Sequence, residues 1–245
     1  MNSIRLALAT VCAAASFSAQ ALVTVWNGSS GLLPEEVDAN WVLTDEGGGS
    51  PSFAGGVLTI QTSGGHAARQ FYRMTNTDFS VGTPYWLEAE MKFVSGSQTS
   101  GWWRAGGHMS IRQENGLMAI LEIRKDFIYL RDADNHSTKQ ASVDTDDAFH
   151  VYKLEVLGDT TSSLVNVYQD GNLVLSDTSL YSGPSGGSVL FGEASTLATG
   201  TTEWIRVSHN VAAVASVPEP ETYALMLAGL GLVGFAARRR MICFN

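Results

Sequence analysis

Cysteine, proline and positive charge are all scarce in this chain of 245 residues. With 2 Cys and 6 Pro in a sequence that is 44% hydrophobic, a disulfide-rich miniprotein, a collagen and a disordered tail are excluded, and one globular domain fits. Lys and Arg number 15 against 24 Asp and Glu, which gives a formal net charge of -9. Because affinity for nucleic-acid phosphates comes mainly from basic side chains, we expect no nucleic-acid partner.

The first 21 residues have the order of a secretory signal peptide. Arg5 precedes an apolar run over residues 6–17, and Ala19 and Ala21 are the small side chains that signal peptidase recognises. We therefore expect export, cleavage by signal peptidase and a mature chain that begins at Leu22.

The C-terminal segment, residues 214–245, has three parts. An apolar run over residues 222–237 is shorter than the ~20 residues that span a bilayer comfortably, but flanking arginines can snorkel to the cytoplasmic interface. The sequence therefore predicts a short transmembrane helix that anchors the chain transiently. The flanking motifs are Val217, Pro218, Glu219 and Pro220 on one side and Arg238, Arg239 and Arg240 on the other.

This order of Pro-Glu-Pro, apolar helix and arginine cluster resembles the PEP-CTERM sorting signal of Gram-negative bacteria. The resemblance covers residues 217–240, and residues 241–245 extend beyond it. It implies that an exosortase in the inner membrane recognises and removes the tail. It also implies a final location at the cell surface or in an extracellular matrix, in an exopolysaccharide or biofilm context.

The middle of the chain, residues 22–213, contains neither Cys12 nor Cys243. An exported domain without a disulfide must be stabilised by burial alone, and this segment is long enough for that. Each terminal signal carries one net positive charge, so residues 22–217 between them carry -11.

Apolar residues in this segment recur with a period of two, and no helix-length 3.6-residue period is present. An Asp170-Gly171 pair between two alternating runs predicts a tight hairpin. Ten strands at this spacing predict two packed antiparallel sheets or a barrel. The predicted strands cover residues 57–61, 85–93, 107–112, 117–124, 127–131, 149–157, 164–169, 173–176, 188–191 and 203–208.

Several of these strands resemble those of the concanavalin A-like lectin/glucanase jelly roll. Residues 149–156, the hairpin at 168–172, and residues 191–193 with 202–207 resemble its closing strands, and residues 85–90 resemble an early one. The similarity spans about residues 23–210 and implies an all-β, two-sheet antiparallel jelly-roll sandwich. Such folds include glycan-binding modules, glucanases and structural domains, so the fold leaves function open.

Glu88 and Glu90 are the candidates for catalysis. Two residues apart on a strand, they share one face at a separation of about 6.5 Å, within the range of glycosidase carboxylates. The glucanases of this fold carry a further Glu on the same strand, where this chain has Lys92 and Phe93. We therefore favour a half-buried strand with an outward polar side, and keep a glycoside-acting enzyme as the alternative.

Trp102, Trp103 and Arg104 are the candidates for ligand binding. On a strand the two indoles would point to opposite sides, so one would face outward beside Arg104 and could stack on a sugar ring. Equally, both could fill a loop packed on the sheet. The other tryptophans, Trp26, Trp41, Trp86 and Trp204, lie in or beside strand patterns and are expected in the core.

No cofactor is expected. The five His residues show no zinc-binding spacing, and His108 stands alone in its segment. Residues 132–135 and 144–147 are acidic loops that make calcium a candidate, but both lack the Gly turn and distal Glu of an EF-hand, so solvated loops are favoured.

Together these patterns predict an exported, exosortase-processed surface or matrix protein whose β-sandwich contacts extracellular polysaccharide without catalysis. A purely structural matrix protein is the remaining alternative.

Overall fold

The computed structural model describes residues 24–46, 51–63, 69–75, 77–79, 84–96, 106–131, 139–178, 180–194 and 199–213. All of them belong to one compact unit, Met1–Ala213, and Val214–Asn245 form a second unit. The expected signal helix and C-terminal transmembrane helix lie outside the described residues. Within the described ranges, no helix has the length and hydropathy needed to cross a membrane.

The described part of the chain is built almost entirely of strands. A 3-10 turn at Gly28–Ser30 and a one-turn helix, α1, at Pro34–Val37 are its helical elements. The strands are β1 Thr24–Asn27, β2 Trp41–Glu46, β3 Ser52–Ala54, β4 Val57–Ser63, β5 Arg69–Met74, β6 Thr77–Asp78, β7 Tyr85–Gly96, β8 Gly107–Arg112, β9 Leu117–Arg124, β10 Phe127–Leu130, β11 Lys139–Ser142, β12 His150–Val156, β13 Val165–Gln169, β14 Asn172–Asp177, β15 Tyr181–Ser182, β16 Ser188–Ala194, β17 Thr199–His209 and β18 Ala212–Ala213.

These strands form two large antiparallel sheets. The first sheet has the order β14-β13-β12-β7-β17-β4-β3, with β1 also paired to β17. The second has the order β11-β10-β9-β8-β16-β5-β2, with β15 paired to β9. Strands β6 and β18 form a small separate pair. The prediction of an all-β, two-sheet antiparallel, jelly-roll-like sandwich is confirmed.

Alternation along each strand determines which side chains enter the core. On β7 the odd-numbered residues from Tyr85 to Phe93 are buried, and the even-numbered residues from Trp86 to Lys92 are half-buried on the outside. Trp86 is therefore an exception to the prediction that it lies in the core, because its position on the strand turns it outward.

An aromatic cluster joins the two sheets without any disulfide. The Phe191 ring on β16 stacks on Tyr72 with centroids 5.5 Å apart, and it meets Trp41 and Trp204 at 5.2 Å each. Trp26 stacks on Phe191 from β1 at 6.2 Å. Because full burial of one large apolar side chain contributes roughly 1.5–3 kcal/mol, this cluster is a main source of stability.

The predicted Asp170-Gly171 hairpin is confirmed. Gln169 pairs with Asn172, so Asp170 and Gly171 form a two-residue turn between β13 and β14. Their φ angles of 50° and 79° are the positive values that a type I′ turn requires at both central positions. The turn residues thus fix the register of this edge of the first sheet.

Candidate functional site

The outward side of the second sheet carries most of the arginines of the domain. On β9, Leu121 and Ile123 point into the core. Because successive side chains of a strand point to opposite sides, Glu122 and Arg124 point away from the core. The same alternation turns Arg73 on β5 and Arg112 on β8 outward. Five of the seven arginines of residues 22–217 lie on this side, which we call the arginine face, namely Arg69, Arg73, Arg112, Arg124 and Arg131.

Glu122 is the fixed centre of the arginine face. Its carboxylate is fully buried, accepts a hydrogen bond from Arg124 Nη2 at 2.9 Å and forms a salt bridge with Arg131 Nη2 at 3.0 Å. Nδ1 of His108, its cross-strand neighbour on β8, lies 3.1 Å from Oε1. Burial raises the pKa of the Glu122 carboxyl, but Arg124, His108 and Arg131 outweigh burial and hold that pKa well below its usual value. Glu122 therefore stays ionised and holds the surrounding side chains in place.

Arg124 is buried beside Glu122 and Tyr129. Burial lowers the pKa of its guanidinium, but the Glu122 charge outweighs that effect and the net pKa is raised. Nη2 also donates to the Tyr129 hydroxyl at 3.4 Å, and the guanidinium carbon lies 5.6 Å from the centre of the Tyr129 ring. Burial raises the pKa of the Tyr129 hydroxyl, which therefore remains a neutral donor and acceptor at this site.

Arg73 and Arg112 have a different environment. Among the described residues, no carboxylate lies within salt-bridge distance of either guanidinium, and the Nε atoms of both are buried without a hydrogen-bond partner. Burial lowers the pKa of Arg73, and the positive charge of Arg112 lowers it further, while Glu46 acts in the opposite direction. The guanidinium carbon of Arg73 lies 5.1 Å from the centre of the Phe71 ring.

The register of the second sheet orders these groups into a row. Arg131 donates its backbone N–H to Ile120, which pairs with Ser110 on β8. Ser110 pairs with Leu190 on β16, and Leu190 pairs with Arg73 on β5. The row crosses five strands, so its two terminal arginines are about 19 Å apart at the backbone. Backbone pairing thus places the half-buried Arg73 and Arg131 at the two ends of one line, with the buried side chains of Ile120, Ser110 and Leu190 between them.

Glu88 and Glu90 lie on the outer side of the first sheet, away from this row. Glu88 Oε1 accepts a hydrogen bond from Arg206 Nη2 at 3.0 Å, and Glu90 Oε2 lies 3.6 Å from Arg206 Nε. The predicted shared face of the two carboxylates is present, with one guanidinium bridging them. Both side chains are about a quarter to a third exposed, at 26% and 31%.

The remaining predicted site residues are those of the Trp102–Arg104 segment, the two acidic loops and the two terminal signals. Trp102, Trp103 and Arg104 lie outside the described residues, as do residues 132–135 and the two terminal signals. In the acidic loop at 144–147, Asp146 Oδ2 lies 3.3 Å from Lys125 Nζ and Asp147 Oδ1 lies 2.8 Å from His150 Nε2. Two of the three carboxylates of this loop therefore contact a lysine or histidine side chain.

Sequence reasoning missed the cluster of His108, Glu122 and Arg124. The sequence does contain a pattern that indicates this cluster, because charged residues occupy alternate positions at the end of an otherwise apolar strand at 117–124. His108 seemed isolated in the sequence, since its partner stands 14 residues away and only the β8–β9 register brings the two together.

Solved structures similar to the chain include both binding domains and enzymes. The Emp47p carbohydrate recognition domain has 11% identity and a TM-score of 0.46, with 71% of this chain and 89% of that chain covered. A Bacillus licheniformis β-glucanase has 10% identity and a TM-score of 0.47, covering 69% and 91%. The alginate lyase AlgAT5 of polysaccharide lyase family 7 has 16% identity and a TM-score of 0.46, covering 73% and 99%.

Among curated proteins, no sequence matches the chain significantly. Residues 216–240 match the family model of the PEP-CTERM protein-sorting motif, which confirms the resemblance found at the C-terminus. The match covers only the C-terminal tail and says nothing about the sandwich. This chain is thus a β-sandwich protein that carries a PEP-CTERM sorting motif, the mark of an exosortase-dependent extracellular protein.

Proposed function

We propose that the protein is exported, processed by an exosortase, and acts at the cell surface or in the extracellular matrix as a non-catalytic glycan-binding β-sandwich. The binding site is the arginine face. The observation that carries this proposal is the Glu122 cluster, in which one buried carboxylate holds Arg124, Arg131 and His108 in fixed positions. Preorganised donors of this kind reduce the entropy lost when a hydroxyl-rich ligand binds.

The same cluster supports binding over catalysis. Glu122 is held ionised by three cationic or hydrogen-bonding partners, so it does not serve as a general acid near neutral pH. On the first sheet, Glu88 and Glu90 share the Arg206 guanidinium, and a glycosidase needs one carboxyl that donates a proton and one that attacks or activates water. We therefore propose that neither sheet performs glycoside hydrolysis.

We also include Trp102, Trp103 and Arg104 in the proposed glycan-binding site. An outward indole next to an arginine offers a stacking surface for a sugar ring, and a buried aromatic anchor of this kind contributes on the order of 1–3 kcal/mol to binding. Replacing each tryptophan singly by Ala should weaken glycan binding for the outward one and lower thermal stability for the inward one.

A glycan array run beside a reducing-sugar assay tests the binding proposal with the protein secreted by its host. We expect selective glycan binding without release of reducing ends. The variant H108N, which alters one hydrogen-bonding group on the arginine face, should weaken binding about tenfold, the equivalent of one lost hydrogen bond. K153Q, a change on the outer side of the first sheet, is the matched control and should leave affinity within twofold.

Two results would contradict the proposal. Release of reducing ends that stops in E90Q would establish the glycoside-acting alternative. Absence of binding to every glycan on the array would favour a purely structural matrix protein.

Intact mass tests the processing part separately. The secreted protein should begin at Leu22 and lack Arg238, Arg239 and Arg240 when the host has an exosortase. In a matched host without exosortase the arginine cluster should be retained. Retention in both hosts would refute the sorting proposal.

A further inference from the structure

The arginine face concentrates positive charge in an acidic protein. Residues 22–217 carry a net charge of -11, yet the described residues of this face include five arginines and only two carboxylates, Glu46 and Glu122. The outer side of the first sheet is the opposite case, with Lys92, Lys153 and Arg206 against four glutamates. Charge is therefore segregated between the two sides of one sandwich.

Stability does not explain the full set of arginines. Glu122 neutralises Arg124 and Arg131, and Glu46 lies 3.6 Å from Arg69. Arg73 and Arg112 remain without a carboxylate among the described residues, although each is half-buried and each has a buried, unpartnered Nε. Two neighbouring cations without a counter-charge raise the free energy of the folded state, because burial removes water that would screen them.

We propose that Arg73 and Arg112 form an anion site that binds the carboxylate or sulfate groups of an acidic polysaccharide. This inference rests on the proposed glycan-binding function and specifies its ligand class. The ligand would supply a counter-charge that no described carboxylate supplies within salt-bridge distance, so the electrostatic cost in the free protein becomes binding free energy in the complex.

The chemistry of the face favours an acidic polysaccharide. The planar guanidinium offers paired N–H donors whose spacing matches two oxygens of a carboxylate or sulfate, and the described residues of the arginine face include five arginines and no lysine. Arg73 and Arg131 lie at the two ends of the row, about 19 Å apart at the backbone, a spacing that suits a polymer with several charged groups. The Phe71 ring lies within cation–π distance of the Arg73 guanidinium.

Polygalacturonate and its highly methyl-esterified form test the charge requirement, because they share a backbone and differ in charge. The wild-type secreted protein should bind the acidic polymer at least tenfold more tightly, with affinity falling as salt rises. R112Q and R73Q should each weaken this binding at least tenfold and reduce its salt dependence. R112K keeps the charge but loses the planar donor pair, so it should weaken binding severalfold.

R206Q on the first sheet is the matched control, since it removes the same charge from the other side. It should leave affinity within twofold. R112Q should melt no lower than R206Q, because Arg112 has no carboxylate partner among the described residues, whereas Arg206 contacts Glu88 and Glu90. A melting temperature of R112Q well below that of R206Q would show a structural role for Arg112 and overturn the assignment.

The remaining outcomes separate this inference from the function on which it rests. Equal binding of both polymers, weakened by H108N, would overturn the anion site and leave glycan binding intact. Absence of binding to either polymer and to every neutral glycan would overturn both. Stronger binding of dextran sulfate than of polygalacturonate, lost in R112Q, would support the site and identify sulfate as the preferred group. Tighter binding of double-stranded DNA than of any glycan would refute the polysaccharide assignment.

Discussion

Replacing Glu122 by Gln should destabilise the protein by about 3–5 kcal/mol, the usual cost of breaking a buried ion pair. The carboxylate is fully buried, and Arg124 beside it is only 2% exposed. E122Q therefore leaves a guanidinium buried without its counter-charge, and it weakens the contacts to Arg131 and His108 as well. For a domain of this size the melting temperature should fall by on the order of 10 °C.

Urea unfolding at pH 7 measures this change, and a pH series checks its cause. The pKa of Glu122 lies well below the unfolded value of about 4.3, so its contribution is present above about pH 4.3 and is lost as pH falls through the folded pKa. E122Q should lack that part of the acid sensitivity. The double variant E122L/R124L, which removes both charges, should recover much of the lost stability.

A surface pair provides the control for this experiment. E88Q breaks the contact with Arg206, where both side chains are partly exposed, and should cost at most about 1 kcal/mol. If E122Q unfolds within 1 kcal/mol of wild type, then Glu122 does not hold the arginine face together, and its place in the binding site is refuted.

Three further predictions concern single residues. Burial lowers the pKa of the His209 imidazole to about 4, so stability should fall by up to about 3 kcal/mol as pH drops from about 6.5 to 4. Urea titrations of H209L at these two pH values should not show this loss. If H209L is as acid-sensitive as wild type, His209 is not the cause. Burial raises the pKa of the Glu193 carboxyl to about 8, against the lowering effects of Arg124 and the Gly106 N–H, so stability should fall as pH rises from about 4.3, the unfolded pKa, to about 8. E193Q should be more stable than wild type at pH 9, and equal stability would contradict this. Gly171 has φ of 79° and open space around its Cβ position, so G171A should cost about 1 kcal/mol through backbone strain alone, measured by thermal melting, with G31A at φ 76° in another turn for comparison.

Local patterns predicted several elements correctly. The period-two runs predicted β7 and β12 because a strand with one buried side must alternate, and they predicted β9 although both of its sides are buried. The Asp170-Gly171 turn followed from the two positive φ angles that a two-residue hairpin demands. The sorting motif followed from the order of three segments in the tail, a property of the linear sequence alone.

Alternation alone failed where a strand is irregular. A strict period of two would turn Arg206 to the same side as Trp204, into the core. In the structure Trp204 pairs with Met91 and Arg206 pairs with Glu90, so Ile205 is an extra residue in a β-bulge. The bulge shifts the phase and turns Arg206 outward onto Glu88 and Glu90. The residue types near position 205 do not predict this bulge, because it depends on how β17 pairs with β7 and β4.

The sequence by itself predicted ten strands, one hairpin, the lack of cysteine in residues 22–217 and the sorting motif, because each depends on residues close together in the chain. It did not predict β2 or β5, and β5 carries Arg69 and Arg73. The tertiary structure decided the arginine face. Arg73, Arg112 and Glu122 come from three strands, and the strand order β9-β8-β16-β5 places them on one side of one sheet. Strand order and register are set by packing between distant segments, so the stretch at 117–124 marks Glu122 and Arg124 but does not show that His108, Arg73 and Arg112 join them.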